Sequence, residues 1–466
     1  MSDETPRRPA SDNPWYVLMT IAGEQGEDFD PELHEKNRRF WHGWLAQGLE
    51  DEVKADLVAR NVVDGAEFAP FSADESICWK NEVERRGIEL PDRADLINFS
   101  FCDFEAPLCC RGFYFSGDAD FESAAFSGNA YFARAAFSGD AYFGSAAFSG
   151  DAYFGSAAFS GYAFFESAAF LGYAYFESAA FSGYADFGSA AFSGYAYFGS
   201  AAFLGYADFE SAAFSGNADF RSAAFSGDAD FERAAFAGYA DFARAAFSER
   251  ADFTSAKLSS SVDFEGVIFE SEPPKFFGAE LHEDTTWLVK AWPPMPSEAR
   301  AAYDHRRAYE RLKLLMDGQK KTHDEHMFHR LELRCREVEE GWPANIPSRL
   351  FGLISGYGWS LKRPCIALGG VIALGWLWMG VWFARSETCP DAMGGPEVWG
   401  CLWSALGVSV SNTFGFLGLG RQVLSDEIAS LNDFGWFEIG AGVQFFLGPI
   451  LLFFLFLALR NRYRMR

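Results

Sequence analysis

Three histidines recur at intervals of three residues in the second half of the chain. Such a cluster is a candidate for metal binding or for a response to pH. His323, His326 and His329 lie close to Asp324 and Glu325, and side chains of these types can bind a metal ion or respond to pH. Their spacing matches no standard set of metal ligands. Histidines on a charged helix are ordinarily solvated, so we expect no metal here.

The rest of the sequence offers no motif for catalysis. It contains no nucleophile elbow, phosphate-binding loop, cysteine-pair zinc pattern or paired-carboxylate site in a recognisable context. Most of the eight cysteines are expected to be reduced thiols, and a disulfide between Cys389 and Cys401 stays open. The sequence therefore predicts a protein that is not an enzyme, with no catalytic residues, cofactor or metal.

A segment of mixed character, residues 397–420, is a candidate for ion conduction. It is too apolar for an ordinary loop, but polar residues and glycines interrupt it too often for a membrane span. It contains Thr413, Phe414, Gly415 and Phe416. Such a segment can re-enter a membrane where protein or water surrounds it. These four residues are the candidate pore segment.

The order of span, re-entrant segment and span resembles the two-span potassium channels, whose filter reads Thr-Val-Gly-Tyr-Gly. Thr413 to Phe416 match the first four positions, but Leu417 replaces the last glycine and disfavours the filter backbone. Gly448 and Pro449 fall in the second span, where proline can bend a helix, so they form a candidate hinge or a plain kinked anchor. The resemblance implies a degenerate channel, which requires a homo-oligomer.

Two long uncharged stretches, 364–384 and 439–459, frame this segment. Each is long enough to cross a bilayer, so the lipid bilayer is an expected partner. Basic residues flank the outer ends of the pair, whereas the connecting loop is mostly acidic. The positive-inside rule then places the N-terminal domains and the C-terminal tail in the cytoplasm. The residues that precede Pro14 are polar, so no signal peptide is expected at the start of the sequence.

About a third of the chain follows an 11-residue repeat. From Phe115 to Phe269 a phenylalanine, or Leu258, returns at every eleventh position, and a second series from Phe121 to Phe264 interleaves it. A small residue stands two positions before nearly every one. In a helix the two series would lie about 140° apart, so no single apolar stripe would form, and every unit would contain a glycine or a polar pair. Both features disfavour a helix. In a strand, the small residue and the phenylalanine face inward together.

These Ala-x-Phe units resemble the pentapeptide-repeat family, whose members wind into a right-handed four-sided β-helix. The regular match covers residues 113–271, and the alternation of five- and six-residue steps predicts about 22 residues in each coil. The resemblance implies a mainly β protein. Together with the rest of the sequence, it predicts a four-sided β-helix with an N-terminal helical cap, a helical linker and two C-terminal transmembrane helices. Since the repeats resemble mainly bacterial proteins, we expect the bacterial cytoplasmic (inner) membrane as its location.

Four domains are expected. The predicted boundaries are 1–93 for the helical cap, 94–290 for the β-helix, 297–342 for the helical linker and 360–466 for the two-span membrane domain. Asp30 and Pro31 predict a helix start in the cap. Trp15, Trp41 and Trp44 are expected in its core.

The outward positions of the repeat give a candidate interaction surface. With the 22-residue coil, two opposite faces would carry columns of tyrosines and aspartates. The candidate surface residues are Tyr131, Tyr153, Tyr175, Tyr197, Asp186, Asp208, Asp230 and Asp252. Contiguous exposed aromatic groups often mark a contact site.

These features favour a non-enzymatic, membrane-anchored scaffold that binds a protein partner. The alternative is the degenerate two-span channel with the β-helix as its sensor or assembly domain. A weaker alternative follows from twenty acidic and six basic residues in 113–271, because some pentapeptide-repeat proteins imitate DNA and inhibit DNA-binding enzymes. The same charge makes direct binding of nucleic acid unfavourable.

Overall fold

The structure of this chain is a computed structural model that describes residues 7–26, 29–60, 62–87, 89–93, 95–385, 397–414 and 435–463. It comprises two compact units. The first contains Met1–Met295 and Arg307–Lys320, and the second contains Pro296–Arg306 and Lys321–Arg466.

The first unit contains a parallel-strand solenoid of about eight turns, built from four sheets. Ala152 pairs with Ala174 and Tyr153 with Tyr175, so equivalent residues of successive coils lie directly above each other. The expected coil length is confirmed, as is the four-sided β-helix. The last coil is one residue longer, since Ile268 bridges to Ala291.

Two opposite sheets differ in the residues that they turn outward. The tyrosine sheet consists of Leu108–Cys109, Ala130–Tyr131, Ala152–Tyr153, Ala174–Tyr175, Ala196–Tyr197, Ala218–Asp219, Ala240–Asp241 and Val262–Asp263. The aspartate sheet consists of Ile97–Asn98, Ala119–Asp120, Ala141–Tyr142, Ala163–Phe164, Ala185–Asp186, Ala207–Asp208, Ala229–Asp230 and Ala251–Asp252.

The other two sheets expose mainly alanine between their inward residues. The first alanine sheet consists of Arg8–Pro9, Cys102–Phe104, Ala125–Phe126, Ala147–Phe148, Ala169–Phe170, Ala191–Phe192, Ala213–Phe214, Ala235–Phe236, Lys257–Leu258 and Glu280–Leu281. The second consists of Tyr114–Phe115, Ala136–Phe137, Ala158–Phe159, Ala180–Phe181, Ala202–Phe203, Ala224–Phe225, Ala246–Phe247 and Ile268–Phe269.

Phenylalanine rings fill the inside of the solenoid. Phe154 and Phe176, one coil apart, stack with their centroids 4.9 Å apart and their planes within 2°. Phe154 also meets Phe165 edge to face at 5.4 Å, an arrangement that suits the aromatic quadrupole. The rings are almost completely buried. Each ring is held by the coils above and below, so the coils stabilise each other.

Two kinds of corner turn the chain between the sheets. At one kind, a serine or arginine adopts a left-handed conformation, as at Ser178 with φ of 56°. At the other kind, successive coils approach closely at glycine. A Cβ atom built on Gly183 would lie 2.6 Å from the carbonyl oxygen of Gly161 in the coil below. The second kind of corner therefore favours glycine, because a side chain there would collide with the coil below.

In the described part of the chain before the solenoid lie the helices α1 (Pro14–Met19), α2 (Pro31–Leu45), α3 (Asp51–Ala59) and α4 (Ala73–Arg86), with 3-10 turns at Ala10–Asp12 and Gly65–Phe68. Asp30 caps α2 by accepting from the backbone N–H groups of Glu32 and Leu33, as the sequence predicted. Trp15, Trp41 and Trp44 are buried together, which confirms that expectation too.

The helical cap covers the first coils directly. Trp41 donates from Nε1 to the carbonyl of Tyr114 at 2.8 Å, and its ring lies 5.8 Å from Phe113. The short strand Arg8–Pro9 pairs with Cys102–Phe104. This pairing covers the open edge of one sheet, which would otherwise be free to bind another strand.

Tryptophans end the phenylalanine stacks at the other end of the solenoid. Trp287 stacks on Phe264 at 4.8 Å and Trp292 on Phe269 at 5.6 Å. Tyr309, from helix α5 (Ala299–Gly318), meets Trp292 edge to face. The tryptophan rings that close the last coil are thus larger than the phenylalanine rings on which they stack.

The second unit contains the helices α6 (Thr322–Glu340), α7 (Ile346–Ser355), α8 (Lys362–Arg385), α9 (Glu397–Thr413) and α10 (Gly435–Tyr463). Within the described residues, two segments are long and apolar enough to cross a membrane: Lys362–Val381 in α8 and Gly440–Arg460 in α10. Helices α8, α9 and α10 pack against one another.

Candidate interaction surface

The tyrosine sheet carries a continuous column of aromatic rings on its outer side. Tyr131, Tyr153, Tyr175 and Tyr197 occupy the outward positions of four successive strands. Their rings stack with centroid distances of 4.9, 4.7 and 5.0 Å. The 22-residue register forces this stacking, because in-register parallel strands place equivalent side chains one strand spacing apart. Stacking leaves all four rings half-buried.

Two further tyrosines widen this column at the corner that leads into the same sheet. Tyr173 and Tyr195 are 44% and 42% exposed. Their rings lie 6.1 Å from Tyr175 and 6.0 Å from Tyr197, respectively. We call the four stacked tyrosines together with Tyr173 and Tyr195 the tyrosine patch. It presents aromatic edges and hydroxyl groups to solvent over four coils.

Three hydroxyl groups of the patch, those of Tyr153, Tyr175 and Tyr197, stay protonated in the neutral pH range. Burial raises the pKa of Tyr153, Tyr175 and Tyr197, and nearby carboxylates add to the effect. Tyr153 also donates to Oδ2 of Asp151 at 3.1 Å. The patch is therefore an uncharged aromatic area within an acidic solenoid.

The four candidate aspartates lie in register on the opposite sheet, as predicted. Each uses Oδ1 to accept a hydrogen bond from the backbone N–H two residues further on, at 2.8 to 3.0 Å. The pairs are Asp186 with Gly188, Asp208 with Glu210, Asp230 with Glu232 and Asp252 with Thr254. The carboxylates therefore form Asx turns and have a structural role in the solenoid. Their use as a contact surface stays a prediction.

Neighbouring tyrosines bind some of the remaining carboxylate oxygens. Tyr184 donates to Oδ2 of Asp208, and Tyr206 donates to Oδ2 of Asp230, each at 3.0 Å. Burial raises the pKa of Asp208, the hydrogen bond from Tyr184 opposes that rise, and repulsion from Asp186 adds to it. The sequence did not reveal these pairs, because the partners are distant along the chain and meet only across successive coils.

Only half of the candidate pore segment lies within the described residues. Thr413 is buried at the end of α9, where its hydroxyl donates to the carbonyl of Ser409 at 2.9 Å. The backbone N–H of Phe414 donates to the carbonyl of Val410 at 3.0 Å. Gly415 and Phe416 lie outside the described residues. The pore interpretation therefore stays a prediction.

The candidate hinge lies within one unbroken helix, α10, which contains Pro449. Gly448 faces the end of α9, and a side chain at this position would collide with the backbone of Thr413. Close packing of two helices is thus a sufficient reason for this glycine. A hinge at Gly448 and Pro449 also stays a prediction.

A buried polar cluster joins the three apolar helices, and the sequence reading missed it. Gln444 of α10 donates from Nε2 to the carbonyl of Val371 at 3.0 Å and to Oγ of Ser409 at 2.7 Å. Ser409 in turn donates to the carbonyl of Ile372 at 2.7 Å. The available signal was one glutamine within a long apolar stretch, since polar side chains in such segments face neighbouring helices.

Two of the three histidines pack on an aromatic ring. The rings of His323 and His326 lie 5.8 and 5.1 Å from that of Trp359, beside a cavity of about 190 Å³. His329 approaches Glu332 instead, at 3.2 Å. Within the ranges that the structure describes, no three His, Cys, Asp or Glu side chains are grouped as metal ligands.

The cysteines provide no established disulfide. Cys78, Cys102, Cys109, Cys110, Cys335 and Cys365 are free thiols. Cys389 and the side chain of Cys401 lie outside the described part of the chain, so their pairing stays open.

The fold and its repeating unit together define the class of protein. Ala-x-Phe strands, four parallel sheets and 22-residue coils form a β-solenoid with a scaffold-like architecture. A family model described as pentapeptide repeats (9 copies) matches residues 111–158 and 198–246. The solenoid is thus a pentapeptide-repeat domain, and the resemblance inferred from its Ala-x-Phe units is confirmed. No curated protein and no solved structure matches the chain.

Proposed function

We propose that this chain is a membrane-anchored scaffold whose tyrosine patch binds another protein. The observation that carries the proposal is the position of the patch. Six tyrosines form one uncharged aromatic area, whereas the opposite sheet uses its aspartates for internal hydrogen bonds. Tyrosine is enriched at protein interfaces, because its rigid ring loses little conformational entropy on binding and its hydroxyl group can form hydrogen bonds.

The surrounding charge indicates the chemistry of the partner. Residues 113–271 carry twenty acidic and six basic side chains, so the patch has an acidic border. Arginine and lysine can bind both to tyrosine rings and to such a border. We therefore propose a protein partner with a basic surface that also contributes apolar side chains.

The membrane anchor is the second part of the proposal, and the surfaces of α8 and α10 support it. Large apolar side chains project outward from both helices, including Leu374 at 69% exposed and Phe446 at 71% exposed. In water such surfaces would favour aggregation. The polar Gln444 instead faces inward. An apolar exterior around a polar contact is the arrangement that a lipid environment favours.

We further propose that the N-terminal region and the C-terminal tail share the cytoplasmic side of a bacterial inner membrane. The support is the concentration of arginine and lysine at the outer ends of the two apolar segments. The full chain should remain with membranes after alkaline carbonate extraction, and reporter fusions at both ends should be active in the cytoplasm. Release by carbonate would contradict the anchor.

The tyrosine patch can be tested with residues that the repeat already contains. Asp219 and Asp241 occupy the positions equivalent to Tyr175 and Tyr197 on the same sheet. The double variant Tyr175→Asp/Tyr197→Asp should therefore fold. We expect it to lose a partner that co-purifies with the full chain from membranes.

A matched control alters the opposite side of the solenoid. Asn217 stands at the repeat position of Tyr184 and Tyr206, so Tyr184→Asn/Tyr206→Asn should also fold and should retain the partner. Loss of the partner in both double variants, or in neither, would contradict the assignment of the tyrosine patch.

A further inference from the structure

A cavity of about 320 Å³ lies where the helical cap meets the first coils. It is distinct from the tyrosine patch, although Phe29 at its edge lies 6.5 Å from the ring of Tyr131. The residues that line the cavity come from both parts of the first unit. They are Phe29, Pro31, His34, Glu35, Arg38, Arg111, Gly112 and Arg134.

Three arginines converge on this cavity from separate parts of the chain. Arg38 comes from helix α2, whereas Arg111 and Arg134 come from the same corner of two successive coils. The backbone N–H of Gly112 donates to the carbonyl of Ala133 at 2.9 Å, so the two corners are stacked. A Cβ atom on Gly112 would lie 3.1 Å from Nη1 of Arg38, which shows how closely helix and coil approach.

The arginines are only partly neutralised. Arg38 pairs with Glu67 at 2.6 Å through Nη2, while its buried Nε has no hydrogen-bond partner among the described residues. In the same described part of the chain, no carboxylate pairs with Arg111 or Arg134. Among the described residues that line the cavity, Glu35 is the only acidic one.

The grouping of the arginines, rather than their lack of ion pairs alone, marks this cavity. Arg233 stands at the same kind of left-handed corner as Arg134, with the same φ of 58°, and forms ion pairs with two glutamates. Arg244 stands at another such corner, and no carboxylate pairs with it among the described residues. Arg111 and Arg134 differ from both because they line one cavity together with Arg38. Guanidinium groups gathered in this way indicate a site that an external anion can fill.

The floor of the cavity is a buried neutral histidine. His34 donates from Nε2 to the carbonyl of Arg111 at 2.9 Å, which fixes the backbone beside that arginine. Burial, assisted by the charges of Arg38 and Arg111, lowers the pKa of His34 to about 4. The positive charge of the cavity therefore comes from the guanidinium groups and persists through the neutral pH range.

We propose that this cavity binds an oxyanion, a phosphate or carboxylate group, between the guanidinium groups of Arg38, Arg111 and Arg134. The guanidinium group donates two parallel hydrogen bonds to either kind of anion. Because the site joins the cap to the first coils, an anion bound there also stabilises that junction. This site does not depend on the function proposed for the tyrosine patch.

The test uses the full chain in detergent micelles, titrated by calorimetry with inorganic phosphate and, separately, with acetate. The key variant is Arg134→Ser, because serine occupies the same corner at Ser145, Ser156 and most other repeats and so preserves the fold. We expect it to weaken binding roughly ten- to a hundredfold, as expected for loss of a charged hydrogen bond. Arg111→Ser should have a similar effect.

The matched control is Arg233→Ser, which makes the same change at a corner away from the cavity and should bind like the parent. Tighter binding of phosphate than of acetate identifies a phosphate-type ligand, and comparable binding identifies a carboxylate. Absence of binding by both anions at millimolar concentration would overturn the proposal. Equal affinity in the parent and in Arg134→Ser would overturn it as well.

Discussion

At the scale of single residues, the solenoid depends on side chains that make no contact with its core. Ser178 and its equivalents adopt φ near +57° at one corner of every half-coil, a region that costs non-glycine residues about 1–2 kcal/mol. Gly112, Gly266 and Gly278 also adopt positive φ, at about 70°. The corner thus selects residues by backbone conformation.

This selection predicts different effects of substitutions at Ser178. Ser178→Val should lower the free energy of unfolding by about 1–3 kcal/mol, because a β-branched side chain fits poorly in the left-handed region. Ser178→Gly should be tolerated. Denaturant unfolding monitored by circular dichroism measures both.

Ser182→Val is the matched control, since Leu171 and Leu204 already occupy equivalent positions at the other kind of corner and Ser182 is not among the residues with positive φ. It should change stability by less than about 0.5 kcal/mol. Equal destabilisation by valine at both serines would show that backbone conformation does not select the residue.

At the scale of elements, the aspartate sheet places the partly buried carboxylates of Asp186 and Asp208 in register on neighbouring strands. Burial raises the pKa of Asp186 and Asp208 above the ordinary value of 3.8. The folded state then holds protons more tightly than the unfolded state. This contribution to stability is present below the unfolded pKa and is lost as pH rises through the folded pKa.

The sign of this effect predicts the behaviour of Asp208→Asn. Asparagine keeps an oxygen that can accept from the backbone of Glu210 and removes one charge from the column. The variant should be more stable than the parent at pH 7, and its advantage should shrink as pH falls toward 4. Thermal unfolding across this range measures the difference.

Comparing variant with parent is necessary because buried histidines titrate in the opposite sense. Burial lowers the pKa of both His34 and His42, so acid weakens the helical cap through them. Asp208→Ala provides the contrast, since it removes the charge and the Asx turn together and should be less stable than Asp208→Asn. A pH-independent difference between Asp208→Asn and the parent would contradict the argument.

At the scale of the whole molecule, the 22-residue register decides which side chains share a face. Tyr153 and Tyr197 lie two coils apart on the tyrosine sheet. Deletion of residues 157–178 removes one coil and would bring these positions into neighbouring strands, about 4.8 Å apart. Deletion of residues 157–167 removes half a coil and would move position 197 to the opposite sheet.

Cysteines at these two positions test the register. With Tyr153→Cys and Tyr197→Cys, a disulfide should form after the full-coil deletion, because the spacing falls in the range that a disulfide spans. It should not form in the undeleted chain or after the half-coil deletion. Mass spectrometry of the oxidised protein identifies the bridge, and a bridge in the half-coil deletion would contradict the register.

Much of the fold could be read from the sequence because its signals are local. The alanine and phenylalanine of each unit face inward in any strand, and Asp30 with Pro31 begins a helix through contacts within a single helical turn. The 22-residue coil followed from the alternation of five- and six-residue steps. By contrast, the longer last coil depends on irregular residues around Pro273 and Pro274, where no period remains.

The sequence by itself determined the repeating strand, the core, the two apolar helices and the columns of tyrosine and aspartate, since each follows from periodicity or from the length of an apolar run. Only the tertiary structure decided what those columns do. Aspartates accept hydrogen bonds from tyrosines one coil away, and Gln444 forms hydrogen bonds with two neighbouring helices. Three arginines line one cavity. These contacts join residues that are distant along the chain, and such pairings arise only when coils stack and helices pack.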